Sequence, residues 1–188
     1  MDRFKPHTLQ TAAPEAREML ADVEKNYGFI PNLIGNMAEA PATLKAYLTL
    51  GELLTETSFS QAEQQVIMLA VSRFNECAYC VGAHTAIALM QKVPADVVSS
   101  IRDSTAIGDA RLEALRRFTT LVVEKRGWLA EDDTKEFLEA GYSRQQIVEV
   151  LLGVAMKTIS NYTNHIAGTE LDEAFADHTW RPAAATLA

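Results

Sequence analysis

The sequence is poor in cysteine, in long apolar runs and, over its second half, in proline. It contains 2 cysteines and 6 prolines in 188 residues, and no proline lies between Pro94 and Pro182. A chain of this length can bury a core without disulfides or a structural metal, so the cysteines need another explanation. Long helices are possible where proline is absent. The longest apolar stretch, Val150 to Met156, is far shorter than a membrane span.

Basic residues are too few for a nucleic-acid-binding surface. The 17 Lys and Arg against 25 Asp and Glu give a formal net charge of −8 at pH 7, whereas phosphate binding requires an excess of positive charge. The first residues contain no uninterrupted apolar segment of the kind that a secretory signal needs. We therefore expect a cytoplasmic protein that binds neither nucleic acid nor membrane, with residues 1–188 forming one domain.

Apolar side chains recur every three or four residues and predict helices. The clearest series runs through residues 143–166 and predicts one apolar stripe there, formed by Ile147, Val150, Leu151, Val154, Ala155, Thr158, Ile159 and Tyr162. Residues 27–35 contain Pro31 and two glycines and are predicted to be a loop. We predict an all-α bundle of about eight or nine helices, near 14–26, 41–56, 61–75, 77–91, 94–103, 109–126, 132–140, 143–166 and 169–176.

Capping signals support several of these helix starts. Ser60 to Glu63 and Ser143 to Gln146 match the capping box, in which the serine side chain and the residue three positions later satisfy each other's backbone N–H groups. Asn75 is expected to cap the helix at 77–91, because asparagine is favoured at that position.

Both cysteines lie in the motif Cys77-Ala-Tyr-Cys80, and His84 follows four residues later. Spacings of three and four residues place all three side chains on one helical face. A thiol at a helix N-terminus beside an imidazole has an increased thiolate fraction. A thiolate attacks a peroxide O–O bond to give a sulfenic acid, which a second thiol converts to a disulfide. The motif can therefore supply a nucleophile, a resolving thiol and a base.

Two cysteines at this spacing are also compatible with roles that involve no catalysis. The cysteines could be small buried core residues, since free cysteine is among the most buried residue types. Cys77, Cys80 and His84 could be zinc ligands, but the sequence offers no evident fourth ligand. A thioredoxin-type motif is disfavoured because no βαβ pattern accompanies it. We expect neither a bound metal nor a cofactor.

The motif and the apolar helix before it, residues 66–75, resemble the alkylhydroperoxidase D-like (AhpD-like) branch of the carboxymuconolactone decarboxylase family. The resemblance extends more loosely over a core of residues 27–172. It is strongest to the peroxidase-related members, which carry a segment similar to residues 161–167. It implies an all-α fold, assembly as dimers, trimers or hexamers, and a peroxidase or thiol-disulfide activity.

The resemblance also assigns roles to the motif by position. It implies that Cys80 is the accessible nucleophile, that Cys77 is its disulfide partner and that His84 belongs to a proton relay. The implied substrate is a small organic hydroperoxide. The implied electron donor is a dithiol carrier, either of the lipoyl type or similar to thioredoxin.

One position departs from the family pattern. The relay glutamate of the family is replaced by Gln65, and Glu63 is two positions earlier and so faces another side of its helix. Glutamine can form hydrogen bonds but cannot accept a proton as a base. Hence His84 acts alone on the thiols, Glu76 beside Cys77 contributes, or the peroxidase is slow.

Three more polar side chains are candidates for the site or for a subunit contact. Tyr79 lies between the cysteines and could face a substrate cavity or pack at an interface. Tyr162 and His165 could line the thiol pocket or a subunit contact, but a buried, internally satisfied hydrogen-bond network is the favoured interpretation. The excess apolar surface of 143–166 suggests a homo-oligomer. The alternative to an enzyme is a helical oligomer whose cysteines are structural or sense redox state.

Overall fold

The computed structural model describes residues 4–182, and this part of the chain is built from helices without any strand. The predicted all-α fold is therefore confirmed. The helices are α1 (Pro14–Tyr27), α2 (Asn32–Met37), α3 (Pro41–Thr55), α4 (Gln61–Phe74), α5 (Ala78–Met90), α6 (Ala95–Asp103), α7 (Ala110–Glu124), α8 (Glu131–Glu139), α9 (Arg144–Ala167) and a final 3₁₀ helix (Glu173–His178). None of the helices in residues 4–182 has the length and apolar character to cross a membrane.

Both predicted capping boxes are present. Ser60 Oγ accepts the Glu63 N–H at 3.4 Å, and Ser143 Oγ accepts the Gln146 N–H at 3.2 Å. The glutamate and glutamine side chains in turn accept hydrogen bonds from the serine N–H groups. The expected cap at Asn75 is wrong, because Asn75 ends α4 and Cys77 takes the N-cap position of α5.

The secondary structure predicted for two further segments also differs from the structure. Residues 32–35, predicted as loop, belong to the short helix α2. The Asp172 side chain accepts the N–H of Asn32 at 2.9 Å and so satisfies the first turn of α2 from 140 residues away. A cap this distant cannot be found from local sequence. The helix predicted at 169–176 is a 3₁₀ helix at Glu173–His178.

The core consists of two apolar clusters, and side chains of α9 pack against both of them. One apolar cluster joins α1, α2, α3 and the cysteine-bearing α5. The other joins α4, α6, α7 and α8 and contains the stacked rings of Phe118, Phe137 and Tyr142. Because α4 contacts both α5 and α9, it fixes these two helices relative to each other.

Gly153 lets α9 pack closely against α4. A Cβ atom at this position would lie 2.4 Å from Cγ2 of Ile67, a side chain with no exposed surface. Only the missing side chain permits this separation between the two helices.

The apolar stripe predicted on α9 is wrong in part. The buried face of α9 consists of Gln146, Val150, Gly153, Lys157, Ser160, Asn161, Asn164 and Ala167. Leu151, Ala155 and Tyr162, predicted to be in the stripe, are exposed together with Val148 and Ile166. Apolar residues occur on two sides of this helix, so periodicity alone did not determine which side faces the core.

Candidate redox site

Cys77 and Cys80 lie together at the N-terminus of α5, and each is only 1% exposed. The Cys77 sulfur accepts the backbone N–H of Cys80 at 3.4 Å, and both cysteines are free thiols. The Asn164 side chain from α9 donates to the Cys80 sulfur at 3.2 Å and to the Cys77 sulfur at 3.7 Å. One amide group therefore links the two sulfurs to the last turns of α9.

Three further polar side chains of α9 surround this pair. Ser160 Oγ lies 4.0 Å from the Cys80 sulfur. The Asn161 carbonyl accepts the Asn75 side-chain N–H at 2.9 Å, which orients its own amide group. Lys157 is 0% exposed, and its ammonium has no hydrogen-bond partner in residues 4–182. The thiols are thus covered by a polar surface within an otherwise apolar core.

The surroundings stabilise a thiolate on Cys80 rather than on Cys77. Burial raises the pKa of Cys80, but the hydrogen bond from the Cys77 thiol and the positive charge of Lys157 outweigh it and lower that pKa to about 5. The pKa of Cys77 is raised, because its thiol hydrogen-bonds to Cys80 and is itself buried. The directions of the two shifts favour the thiolate on Cys80 and the remaining proton on Cys77.

The structure brings His84 and Gln65 together, with His84 Nδ1 at 3.1 Å from Gln65 Oε1. Burial and the nearby Lys157 charge hold the pKa of His84 well below its usual value, so the ring is neutral. Because the glutamine oxygen accepts, His84 Nδ1 donates and Nε2 is the acceptor nitrogen. In the described residues His84 makes no hydrogen bond to either thiol.

Glu76 and Tyr79 are placed differently from each other, although both flank a cysteine. Glu76 is exposed, adopts a left-handed backbone conformation (φ 54°) and makes no side-chain hydrogen bond within residues 4–182. Tyr79 is buried and donates its hydroxyl to Asp172 at 2.5 Å. Burial and this carboxylate raise the pKa of Tyr79. Tyr79 therefore connects α5 to the segment that caps α2.

The favoured interpretation of Tyr162 and His165 as a buried network is wrong. Both are exposed, Tyr162 by 52%, and their rings stack on each other at 6.4 Å. The buried polar residues of this segment are Asn161 and Asn164, because the inward face of α9 passes through those positions. The polar network expected in this segment exists, but it is formed by the asparagines and contacts the thiols.

Sequence reasoning missed Lys157, Ser160 and Tyr47. A usable signal was present, since positions 157, 160, 161 and 164 are polar and recur every three or four residues within the most apolar helix. Tyr47 of α3 carries no comparable signal. It is buried beside the site, and burial and the Cys80 charge raise its pKa.

Access to the thiols is restricted in the single chain. The accessible Cys80 implied by the family resemblance is not found, because both sulfurs lie beneath α9. Two surface clefts, of about 700 and 390 Å³, lie beside α8 and include neither cysteine. Over residues 4–182 no group of three or more His, Cys, Asp and Glu side chains is arranged to hold a metal ion.

The fold and the buried cysteine pair define a helical thiol protein, and comparison with known proteins agrees with this class. Residues 41–121 match the carboxymuconolactone decarboxylase family. The fold is shared with the alkylhydroperoxidase AhpD core of an uncharacterized peroxidase-related protein from Ralstonia eutropha JMP134, with a TM-score of 0.81 and 23% identity over 92% of this chain and 93% of that one. The resemblance to the carboxymuconolactone decarboxylase family is thus supported over residues 41–121, and the fold of the chain is that of the AhpD core.

Two more solved structures have the same fold. A peroxidase-related protein from Silicibacter sp. TM1040 has a TM-score of 0.78 and 19% identity over 93% of this chain and 95% of that one. A cysteine-to-alanine variant of the debrominase Bmp8, solved in complex with 2,3,4-tribromopyrrole, has a TM-score of 0.77 and 18% identity over 95% of this chain and 96% of that one. Comparison with curated proteins found no match. The same fold therefore occurs both in proteins described as peroxidase-related and in a debrominase.

Proposed function

We propose that the protein is a thiol-dependent peroxidase that cycles its cysteine pair between dithiol and disulfide. The observation that carries the proposal is the geometry of the pair: the Asn164 amide donates to the Cys80 sulfur at 3.2 Å, and the Cys77 sulfur lies one helical turn away. The lowered pKa of Cys80 supports it. The Cys80 thiolate attacks the terminal oxygen of a hydroperoxide, the O–O bond breaks and Cys80 becomes a sulfenic acid, while the departing alkoxide takes up one proton and leaves as the alcohol. Cys77 then displaces water from the sulfenic acid and closes the disulfide.

His84 and Gln65 are proposed to support this cycle as a positioning pair. The hydrogen bond to Gln65 fixes the orientation of the imidazole and leaves Nε2 as an acceptor. Glutamine cannot take up a proton, so within this pair only His84 Nε2 can accept one. The exposed Glu76 has no part in the proposed cycle.

The burial of both thiols favours a small hydroperoxide over a bulky one. Completion of the cycle requires two electrons from a dithiol, which we propose to be a lipoyl-type or thioredoxin-like carrier. Free cysteines at a reactive position also fit a reducing compartment such as the cytoplasm.

Steady-state consumption of tert-butyl hydroperoxide, with dihydrolipoamide as reductant, tests the proposal. We expect turnover by the native protein, none by Cys80→Ser, and accumulation of a sulfenic acid in Cys77→Ser. Unchanged turnover in Cys80→Ser would overturn the proposed function. Trp128→Ser, at an exposed side chain away from the thiols and from α9, is the control variant and leaves turnover unchanged.

The second candidate, a redox-sensing protein without turnover, is favoured by one observation: each thiol is only 1% exposed. A sensor would form the disulfide once and would not be reduced quickly by small dithiols. The same assay separates the two functions, because a sensor gives a single stoichiometric oxidation.

We also propose a homo-oligomer, on the basis of the exposed apolar side of α9. Val148, Leu151, Tyr162 and Ile166 follow one another at helical spacing along that side. Such a row is typical of a surface that a second subunit covers. Light scattering after size-exclusion chromatography should give a mass above 20.7 kDa, and Leu151→Asp with Ile166→Asp should reduce it to the monomer. A monomeric native protein would contradict the proposal.

A further inference from the structure

Lys157 is a buried basic residue on the inward face of α9. It has no exposed surface, and no carboxylate in residues 4–182 forms an ion pair with it. A buried ammonium is costly unless an opposite charge compensates it. It lies on the buried face of α9, one turn before Ser160, whose Oγ is 4.0 Å from the Cys80 sulfur, and on the same face as Asn164, which donates to that sulfur. Its positive charge lowers the pKa of Cys80 and of His84, in agreement with this position.

Among the titratable groups that face the site in residues 4–182, Cys80 is the one whose lowered pKa favours a negative charge beside Lys157. The other titratable groups facing the site are Tyr47 on α3 and Cys77 and His84 on α5. Burial raises the pKa of Tyr47, the hydrogen bond to Cys80 raises the pKa of Cys77, and burial lowers the pKa of His84. All three are therefore neutral at pH 7, and the ammonium and the thiolate compensate each other.

Cleavage of the hydroperoxide also needs a proton donor. The O–O bond breaks to leave an alkoxide, which is a poor leaving group unless it is protonated. His84 is neutral and donates its only N–H to Gln65. The Gln65 amide is not an acid. Neither residue of this pair can therefore protonate the alkoxide, whereas an ammonium beside the Cys80 sulfur can.

We propose that Lys157 is both the counter-ion of the Cys80 thiolate and the proton donor to the departing alkoxide, a role that rests on the proposed peroxidase function. The Cys80 sulfur forms a bond to the terminal oxygen as the O–O bond breaks, so the sulfur is oxidised and the peroxide is reduced. The alkoxide takes one proton from the Lys157 ammonium and leaves as the alcohol. Cys77 and the sulfenic acid then give the disulfide and water.

The proton count closes over the whole cycle. In the disulfide form the thiolate is gone and its counter-ion has given one proton to the alkoxide. Reduction by a dithiol returns two hydrogens to the cysteines. The Cys80 proton then passes to the Lys157 amine and restores the starting ion pair.

The counter-ion role is tested without any peroxide, by the pH dependence of Cys80 alkylation with iodoacetamide. We expect a midpoint near pH 5 in the native protein. In Lys157→Met the midpoint should move to higher pH by about 2 units or more, because the buried thiolate loses its opposite charge. Lys157→Arg should recover part of this shift. An unchanged midpoint in folded Lys157→Met would overturn the role.

Two further variants keep this test decisive. Lys135→Met, at an exposed lysine of α8, is the matched control and should leave the midpoint unchanged. Methionine replaces a buried charge with an apolar side chain of similar length and should preserve the fold. If Lys157→Met is unfolded by circular dichroism, Lys157→Gln is measured in its place.

The proton-donor role is tested by single-turnover oxidation at a pH above the Cys80 midpoint of both proteins. Peroxyacetic acid releases a carboxylate that needs no proton, whereas tert-butyl hydroperoxide releases an alkoxide. We expect Lys157→Met to slow the alkyl hydroperoxide about 100-fold or more and the peroxy acid much less. Equal slowing of both would overturn the proton-donor role. A native protein inert to both peroxides would overturn the proposed function together with this step, while the alkylation midpoint would still decide the counter-ion role.

Discussion

Substitution of Gly153 by alanine tests whether the close contact between α4 and α9 holds the redox site together. The new Cβ would lie 2.4 Å from Cγ2 of Ile67. Ordinary carbon contacts are about 3.5–4.0 Å, so one helix must move by about 1 Å or more. Isoleucine is stiff at χ1 and fully buried, and it cannot rotate away.

The expected change in stability is the sum of two opposing effects. Overpacking of a core contact costs about 1–3 kcal/mol, and alanine in place of glycine within a helix returns about 1 kcal/mol. Gly51→Ala is a matched control in α3, because its Cβ would meet only the flexible end of Met156 at 3.3 Å. The helix-propensity gain is common to both variants, so Gly153→Ala should be less stable than Gly51→Ala by about 1–3 kcal/mol.

Urea unfolding followed by far-UV circular dichroism measures this difference by linear extrapolation. The displaced α9 also carries Asn164 and Lys157, so Gly153→Ala should raise the pH midpoint of Cys80 alkylation, whereas Gly51→Ala should not. Equal stabilities of the two alanine variants would refute the close-contact argument. A large loss of stability with an unchanged alkylation midpoint would show that the position of α9 does not control the site.

Three further outcomes follow from the contacts of the site. In the unfolded chain His84 binds a proton below its usual pKa near 6.5, whereas the buried ring does not, so native stability should fall by up to about 1.4 kcal/mol per pH unit below pH 6.5. His84→Gln should flatten this slope in urea titrations, and an identical slope would contradict the burial argument. Tyr79→Phe removes the donor to the buried Asp172 and should cost about 1–3 kcal/mol; thermal melts that coincide with the native protein would show the bond to be dispensable. Asn164→Leu removes the N–H donor to Cys80 and should shift the alkylation midpoint to higher pH, an expectation that an unshifted profile would refute.

Much of the fold could be predicted from the sequence because helix formation in this chain is governed by local signals. Apolar periodicity located the long helices, and the two capping boxes placed the starts of α4 and α9. The prediction of helix positions failed where a contact between residues distant in sequence determines the local structure. The first turn of α2 is capped by Asp172, which is 140 residues away in the chain. The helix cap at Cys77 was missed because asparagine is the more common cap, yet Asn75 serves α4.

The candidate site could be predicted only on the side of α5. Two cysteines at a fixed spacing attract attention through their chemistry, and Gln65 was identified through its position in the family pattern. The opposite side of the site is formed by Lys157 and Asn164, whose importance depends on the rotation of α9 about its axis. That rotation depends on which of two apolar sides packs against α4. Gly153 settles this through close approach, and the absence of a side chain gives no periodic signal.

The central claim, that hydroperoxide drives the Cys77 and Cys80 thiols into a disulfide, is tested most directly by intact mass spectrometry. Fully reduced protein is treated with one equivalent of an organic hydroperoxide, and the remaining free thiols are then alkylated. The account predicts prompt loss of both alkylation sites and a mass lower by two hydrogens, and Cys77→Ser should instead gain one oxygen. Two thiols that remain free and alkylatable after prolonged exposure would contradict the account.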